Sequence, residues 1–233
     1  MTGTLYGVGV GPGDPELMTL KADRLIRAAK VIAYPTLAGA HSFARSIAAG
    51  SIAEGATEIV MDVPMTVARQ PAQDAYDAGA AQIEDALRSG LDVVCLCEGD
   101  PFFYGSFMYL YARLSGEFTC QVVPGVTSMT ASAAMTGMPL AARNEVLTVI
   151  PGPLEEAALE ARIAGSDSLV IMKVGRHLPK IRAVIERLGL LDQATYIERA
   201  TLPAQVTLPL AQAPEKAPYF SMILITKGAD PWL

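Results

Sequence analysis

Residues 92–101 read Asp92-Val93-Val94-Cys95-Leu96-Cys97-Glu98-Gly99-Asp100-Pro101. Five apolar residues in a row leave no polar face, so a strand here is buried on both sides. That is the position of a central strand in a parallel sheet covered by helices. Cys95 and Cys97, two apart, fall on one face of it. The Glu-Gly-Asp-Pro that follows combines acids with a glycine and a proline. Such a loop at a strand's carboxyl end is where α/β proteins present groups to ligands.

On either side of this stretch, short apolar runs alternate with helical patterns. Strands are expected over 4–10, 31–34, 58–61 and 118–123, with Pro35 ending the second. Asp14-Pro15-Glu16 reads as a helix start, with a capping acid and Pro at the first helical position. Met18, Ala22, Leu25 and Ala29 continue it at helical spacing. Further helices are expected over 41–49, 72–88, 107–114 and 126–136. After a linker around residues 138–143 the pattern restarts, with strands at 146–150, 168–172, 194–198 and 219–226 and helices at 154–164 and 178–188. The proline-rich stretch 201–218 suits a hairpin or an edge strand. The fold class is therefore α/β, as two α/β domains, 1–140 and 144–233, with mainly parallel sheets and a ligand cleft between them.

Composition narrows the function. The chain has 233 residues, 51% hydrophobic and 18% charged, with a formal charge of −6. Disorder is excluded by the apolar content, and the acidity argues against nucleic acid or an anionic membrane as the main partner. No apolar stretch approaches the ~20 residues of a membrane span, and no signal peptide is visible, so a cytoplasmic location is expected. Three cysteines and two distant histidines (His41, His177) make neither a disulfide framework nor a metal set, and no protein-bound metal is expected.

Three loops carry the chemistry. Gly7-Val8-Gly9-Val10-Gly11-Pro12-Gly13 invites a dinucleotide reading, but Pro12 and Asp14 stand where that fingerprint needs glycine. The acid expected after the second strand is also missing. A nicotinamide-dependent oxidoreductase is therefore disfavoured. Glu98-Gly99-Asp100-Pro101 offers Asp100 either as a hydrogen-bond acceptor for a ligand or as a cap for the next helix. Pro124-Gly125-Val126-Thr127-Ser128 sets two hydroxyls at a helix start, for a ligand or for ordinary capping.

Together, G-V-G-P-G-D-P-E-L-M-T-L-K-A (9–22), E-G-D-P-F (98–102), V-P-G-V-T-S (123–128) and S-L-V-I-M (168–172) resemble the tetrapyrrole (precorrin and uroporphyrinogen) methyltransferase family. The likeness covers nearly the whole chain. Y-G-S-F-M-Y-L (104–110) and Y-I-E-R-A (196–200) look like the branch that methylates C20 of precorrin-2; a cobalt-containing substrate or another ring position stays open, as does a non-catalytic tetrapyrrole carrier. The resemblance implies S-adenosylmethionine as methyl donor and a homodimer. It places Pro12, Gly99, Asp100, Phe103, Thr127, Ser128, Met172 and Ala200 around the cofactor, although several family members carry glycine at the position of Ala200.

Methyl transfer from a sulfonium needs alignment more than acid–base help, and alignment can contribute on the order of 7–11 kcal/mol. A proton must still leave the methylated carbon, and Tyr104 and Glu98 are candidates to receive it. The implied substrate carries eight carboxylates, which an acidic chain has to meet with a local basic patch. The first 115 residues carry −5 and the remainder −1, and Lys173, Arg176, Lys180, Arg182 and Arg187 face Glu186 alone within 173–187. Lys173, Arg176 and Lys180, with Arg143 and Arg113, are the expected carboxylate-binding residues.

Overall fold

In a computed structural model, which describes residues 1–37, 40–64 and 68–228, β4 (Val93–Cys97) is the middle strand of a wholly parallel five-stranded sheet. The order is β3 (Thr57–Val63), β2 (Val31–Leu37), β4, β1 (Leu5–Gly9), β5 (Cys120–Val123). Val93, Cys95 and Cys97 join one core with Tyr76, Ile83 and Leu87 of α3 (Gln70–Arg88) and Phe107 and Leu110 of α4 (Phe107–Leu114). Val94 and Leu96 join the other, with Ala22 and Ile26 of α1 (Leu20–Ala28) and Ala44 and Ile47 of α2 (Phe43–Ala48). The double-sided apolar run thus follows from two helical layers.

Two local expectations are corrected. Asp14 does cap, accepting from the Glu16 N–H at 2.9 Å, but it starts only a single 3-10 turn, Pro15–Leu17. α1 begins again at Leu20, capped by the Thr19 hydroxyl. Pro35 does not end β2, which runs on to Leu37. Beyond Ala33 the strand has left β4 and pairs with β3 alone, so the stretch holding Pro35 has one open side, where a missing donor is tolerated.

The chain divides into two compact units, Met1–Thr127 and the residues from Ser128 onward. The division falls before α5 (Ser128–Thr136), not near residue 140. The helix packs Met129 and Ala133 against Val170, Ile197, Met222 and Leu224 of the second unit. There a sheet runs β6 (Leu147–Pro151), β7 (Ser168–Met172), β10 (Ser221–Thr226), β8 (Ala194–Glu198), β9 (Val206–Pro209). α6 (Glu156–Ala164) and α7 (Leu178–Arg187) cover the other face. β6 and β7, joined through α6, are parallel. β10 is antiparallel to both β7 and β8, and β9 is an antiparallel edge strand on β8, so this sheet is mixed. No helix intervenes after β8, and the chain returns in the opposite direction.

Candidate functional site

In the first unit, the strand-end loops following β1, β4 and β5 form one backbone surface, because these strands are neighbours. The Gly99 N–H donates to the Gly11 carbonyl at 2.8 Å and the Val10 N–H to the Cys97 carbonyl at 2.9 Å. A Cβ on Gly125 would lie 2.0 Å from the Gly99 oxygen, and one on Gly9 would lie 2.5 Å from that same atom. Glycine at both positions is what lets the three loops touch main chain to main chain.

Asp100 fastens them. Its Oδ1 accepts from the Phe102 and Phe103 N–H groups at 2.9 and 3.1 Å, and its Oδ2 from the Gly125 N–H at 3.1 Å. It therefore does not cap α4, whose N-cap residue is Ser106, without a side-chain capping bond. Phe103 meets the Tyr104 ring edge-on at 5.2 Å between centroids. Tyr104 is exposed, not interior, and its backbone is left-handed, with φ of 55°.

Glu98 follows β4 on the side of α1 and α2, and the Ala44 N–H bonds its carboxylate. The protein mass around that carboxyl pushes its pKa up to about 7, although the residue keeps surface open to water. Near β2, a cavity of about 330 Å³ is lined by Tyr34, Thr36, His41, Ser42 and Arg45 among others. Its guanidinium is committed to Glu58, at 2.7 and 2.8 Å.

In the second unit, Met172 and Ala200 lie partly buried against the small core that also receives Met129. Ser128 is the first residue of α5. Lys173 (φ 56°), Arg199 (φ 49°) and Thr201 (φ 72°) flank them in left-handed conformations, and Arg143 (φ 47°) does the same in the connecting segment. With Tyr104 these are all the non-glycine residues of that kind among the described residues. Every one stands at or beside a position singled out from the sequence. Such strain persists only where surrounding structure enforces it, and it clusters at binding sites.

The basic run is less available than its charge suggested. Lys180 donates to the Leu154 carbonyl and Arg182 to the Ala213 carbonyl, and Arg187 pairs with Glu156 and Glu160. Arg113 pairs with Asp77 at 2.6 Å. Lys180 and Arg113 are thus bound locally, an outcome no one-dimensional charge count registers. Arg176 is exposed and makes no ion pair among the described residues.

Comparison with known proteins decides the lineage. The model of a family described as Tetrapyrrole (Corrin/Porphyrin) Methylases matches residues 4–214. This chain belongs to that family. A precorrin-2 C(20)-methyltransferase from Sinorhizobium sp is 41% identical, over 98% of this chain and 97% of that one. A cobalt-precorrin-2 C(20)-methyltransferase from Salmonella typhimurium is 31% identical, over 97% and 98%. Among solved structures, a uroporphyrin-III C-methyl transferase from Thermus thermophilus, complexed with S-adenyl homocysteine, superposes with a TM-score of 0.69. It is 28% identical and covers 95% of this chain and 97% of that one. A cobalt precorrin-4 methyltransferase has a TM-score of 0.74 at 23% identity, covers 96% and 94%, and supports the fold.

The loops of this tetrapyrrole methylase fit S-adenosylmethionine. The three loops lie side by side at the carboxyl ends of adjacent parallel strands, the place where α/β sheets receive ligands. The Thr127 and Ser128 hydroxyls would be the polar side-chain partners for such a ligand.

Proposed function

We propose that this tetrapyrrole methylase is an S-adenosylmethionine-dependent C-methyltransferase acting at C20 of precorrin-2 in cobalamin biosynthesis. The observation that carries the reading is the 41% identity to the Sinorhizobium precorrin-2 enzyme, over nearly the full length of both chains. In this reading Pro12, Gly99, Phe103, Thr127 and Ser128 line the cofactor, and Asp100 holds their loops in place. Met172 and Ala200 are assigned to the same ligand by family position. When bound, S-adenosylmethionine supplies the electrophilic methyl group. The chain's own residues orient C20 toward it, exclude water and receive the proton that C20 sheds. Glu98 is the proposed acceptor: it stands beside Gly99, and a carboxyl with a pKa of about 7 suits proton uptake near neutrality. Arg143, Lys173 and Arg176 are the proposed partners of substrate carboxylates.

We further propose a cytoplasmic homodimer. Three cysteines without a disulfide fit a reducing compartment. Phe102, Met108, Tyr109 and Tyr111 are exposed on and beside α4, an apolar face suited to an isologous contact. Nucleic acid and membranes are not proposed as partners, in keeping with the −6 charge. No helix among the described residues is long and apolar enough to cross a membrane.

Incubation with methyl-labelled S-adenosylmethionine and precorrin-2, metal-free or cobalt-loaded, followed by NMR, tests the assignment. A single new methyl at C20, formed faster on the metal-free macrocycle, is expected. Label at another carbon, or none, would overturn it, and faster transfer to the cobalt form would move the assignment to that substrate.

A further inference from the structure

β8 ends in a hydrogen-bonded relay that the roles above do not use. Tyr196, fully buried, donates its hydroxyl to Glu198 Oε2 at 2.5 Å. The other oxygen, Oε1, accepts from Arg199 Nη1 at 2.6 Å. The Glu198 side chain is 10% exposed and that of Arg199 is 42%. The negative end of the pair is therefore buried, with part of its charge drawn inward by the tyrosine hydroxyl. The positive end faces solvent, with Nε and Nη2 unpaired among the described residues.

Stability alone gives a poor reason for this arrangement. Burying a carboxylate is costly, and ion pairs that reach the surface return little. The backbone adds to the cost, since Arg199 and Thr201 are left-handed on either side of Ala200. That turn is held from several directions. The Arg199 N–H donates to the Phe220 carbonyl at 2.9 Å, the Leu202 N–H to the Arg199 carbonyl at 3.0 Å, and the Thr201 N–H to Gln205 Oε1 at 2.8 Å. What the strain and the buried acid achieve together is a guanidinium fixed in direction beside Ala200, with one edge of its fork open. A planar fork of that kind matches a carboxylate with two parallel hydrogen bonds.

We propose that Arg199 is a substrate-binding residue that grips one carboxylate of the macrocycle, with Glu198 and Tyr196 as the positioning residues that aim it. The proposal rests on the tetrapyrrole reading above. The amino-acid carboxylate of the methyl donor has the same chemistry, so the test has to separate the two ligands.

The full chain carrying Arg199→Ala, Arg199→Lys or Glu198→Gln is assayed for KM and kcat with precorrin-2. Binding of S-adenosylmethionine alone is titrated by calorimetry. Arg199→Ala should raise the tetrapyrrole KM about 10- to 100-fold, the loss expected for a charged hydrogen-bonded pair, with cofactor affinity held within about twofold. Arg199→Lys should recover part of that loss, and Glu198→Gln should raise KM with little change in kcat. A KM within about twofold of wild type in Arg199→Ala would overturn the proposal. So would a loss confined to cofactor binding, which would hand the residue to the methyl donor. If Arg199→Ala does not fold, Arg199→Gln takes its place under the same criteria. Wild-type protein that methylates no tetrapyrrole refutes the underlying reading and the proposal with it. Normal wild-type turnover with insensitive variants refutes the proposal alone.

Discussion

Asp100 shows how one carboxylate can fasten two loops together. Both its oxygens are spent on main-chain donors, two within its own loop and one across to Gly125. Asp100→Ala should cost about 1–2 kcal/mol through the stranded donors and weaken S-adenosylmethionine binding more than tetrapyrrole binding. An unchanged cofactor titration would count against that role. Glu98 gives a pH signature. In the folded chain it keeps its proton up to about pH 7, against an ordinary value of 4.5. Between those values the folded state binds more protons than the unfolded one, so stability falls as pH rises from 4.5 to 7 and then levels. Glu98→Gln should flatten that slope in thermal melts. If Glu98 is the proton acceptor, the same change should also remove the acid limb of kcat near pH 7.

At the scale of elements, β4 carries two cores at once. Leu96→Ala should cost about 2–5 kcal/mol, because Leu96 is fully buried against α1 and α2. Chemical denaturation measures it. β2, β3 and α2 are tied by a second relay, in which Arg45 and the Tyr34 hydroxyl both bond Glu58. The hydrogen bonds from Arg45 and then Tyr34 lower the Glu58 pKa from 4.5 to about 2. Its stabilising contribution is complete above pH 4.5 and is lost as pH falls toward 2. Glu58→Gln should therefore lower stability at neutral pH and show a shallower acid dependence in that window. Identical acid unfolding curves would contradict the assignment.

For the molecule as a whole, the exposed aromatic face of α4 and the net charge make separable predictions. Tyr109→Glu combined with Met108→Glu should convert the proposed dimer to a monomer in light scattering at micromolar concentration. Two exposed residues are altered, so far-ultraviolet circular dichroism should be unchanged. A wild-type protein that is already monomeric would refute the interface. The charge of −6 is spread unevenly: Lys173, Arg176, Arg143 and Arg199, the proposed carboxylate partners, all lie in the last hundred residues or so, where acids and bases nearly balance.

Periodicity and punctuation were enough for the succession of strands and helices, since a double-sided apolar run and alternating βα patterns admit few arrangements. The boundaries of α4 at Phe107 and Leu114 were readable for the same reason. The three strand-end loops were legible too, because Gly-Pro-Gly, Gly-Asp-Pro and Pro-Gly-Val-Thr punctuate the ends of apolar runs. Three things needed the tertiary structure. Pro35 stays inside β2 because β2 parts from β4, and pairing partners are not local information. α5 belongs with the second unit because Met129 and Ala133 find their core there, across many residues of chain. Which cations remain available depends on whether a carbonyl or a carboxylate lies within about 3 Å. Lys180 and Arg113 are consumed in this way and Arg199 is aimed outward. Short-range chemistry is written along the chain. Partnership between distant segments is settled only when packing brings them together.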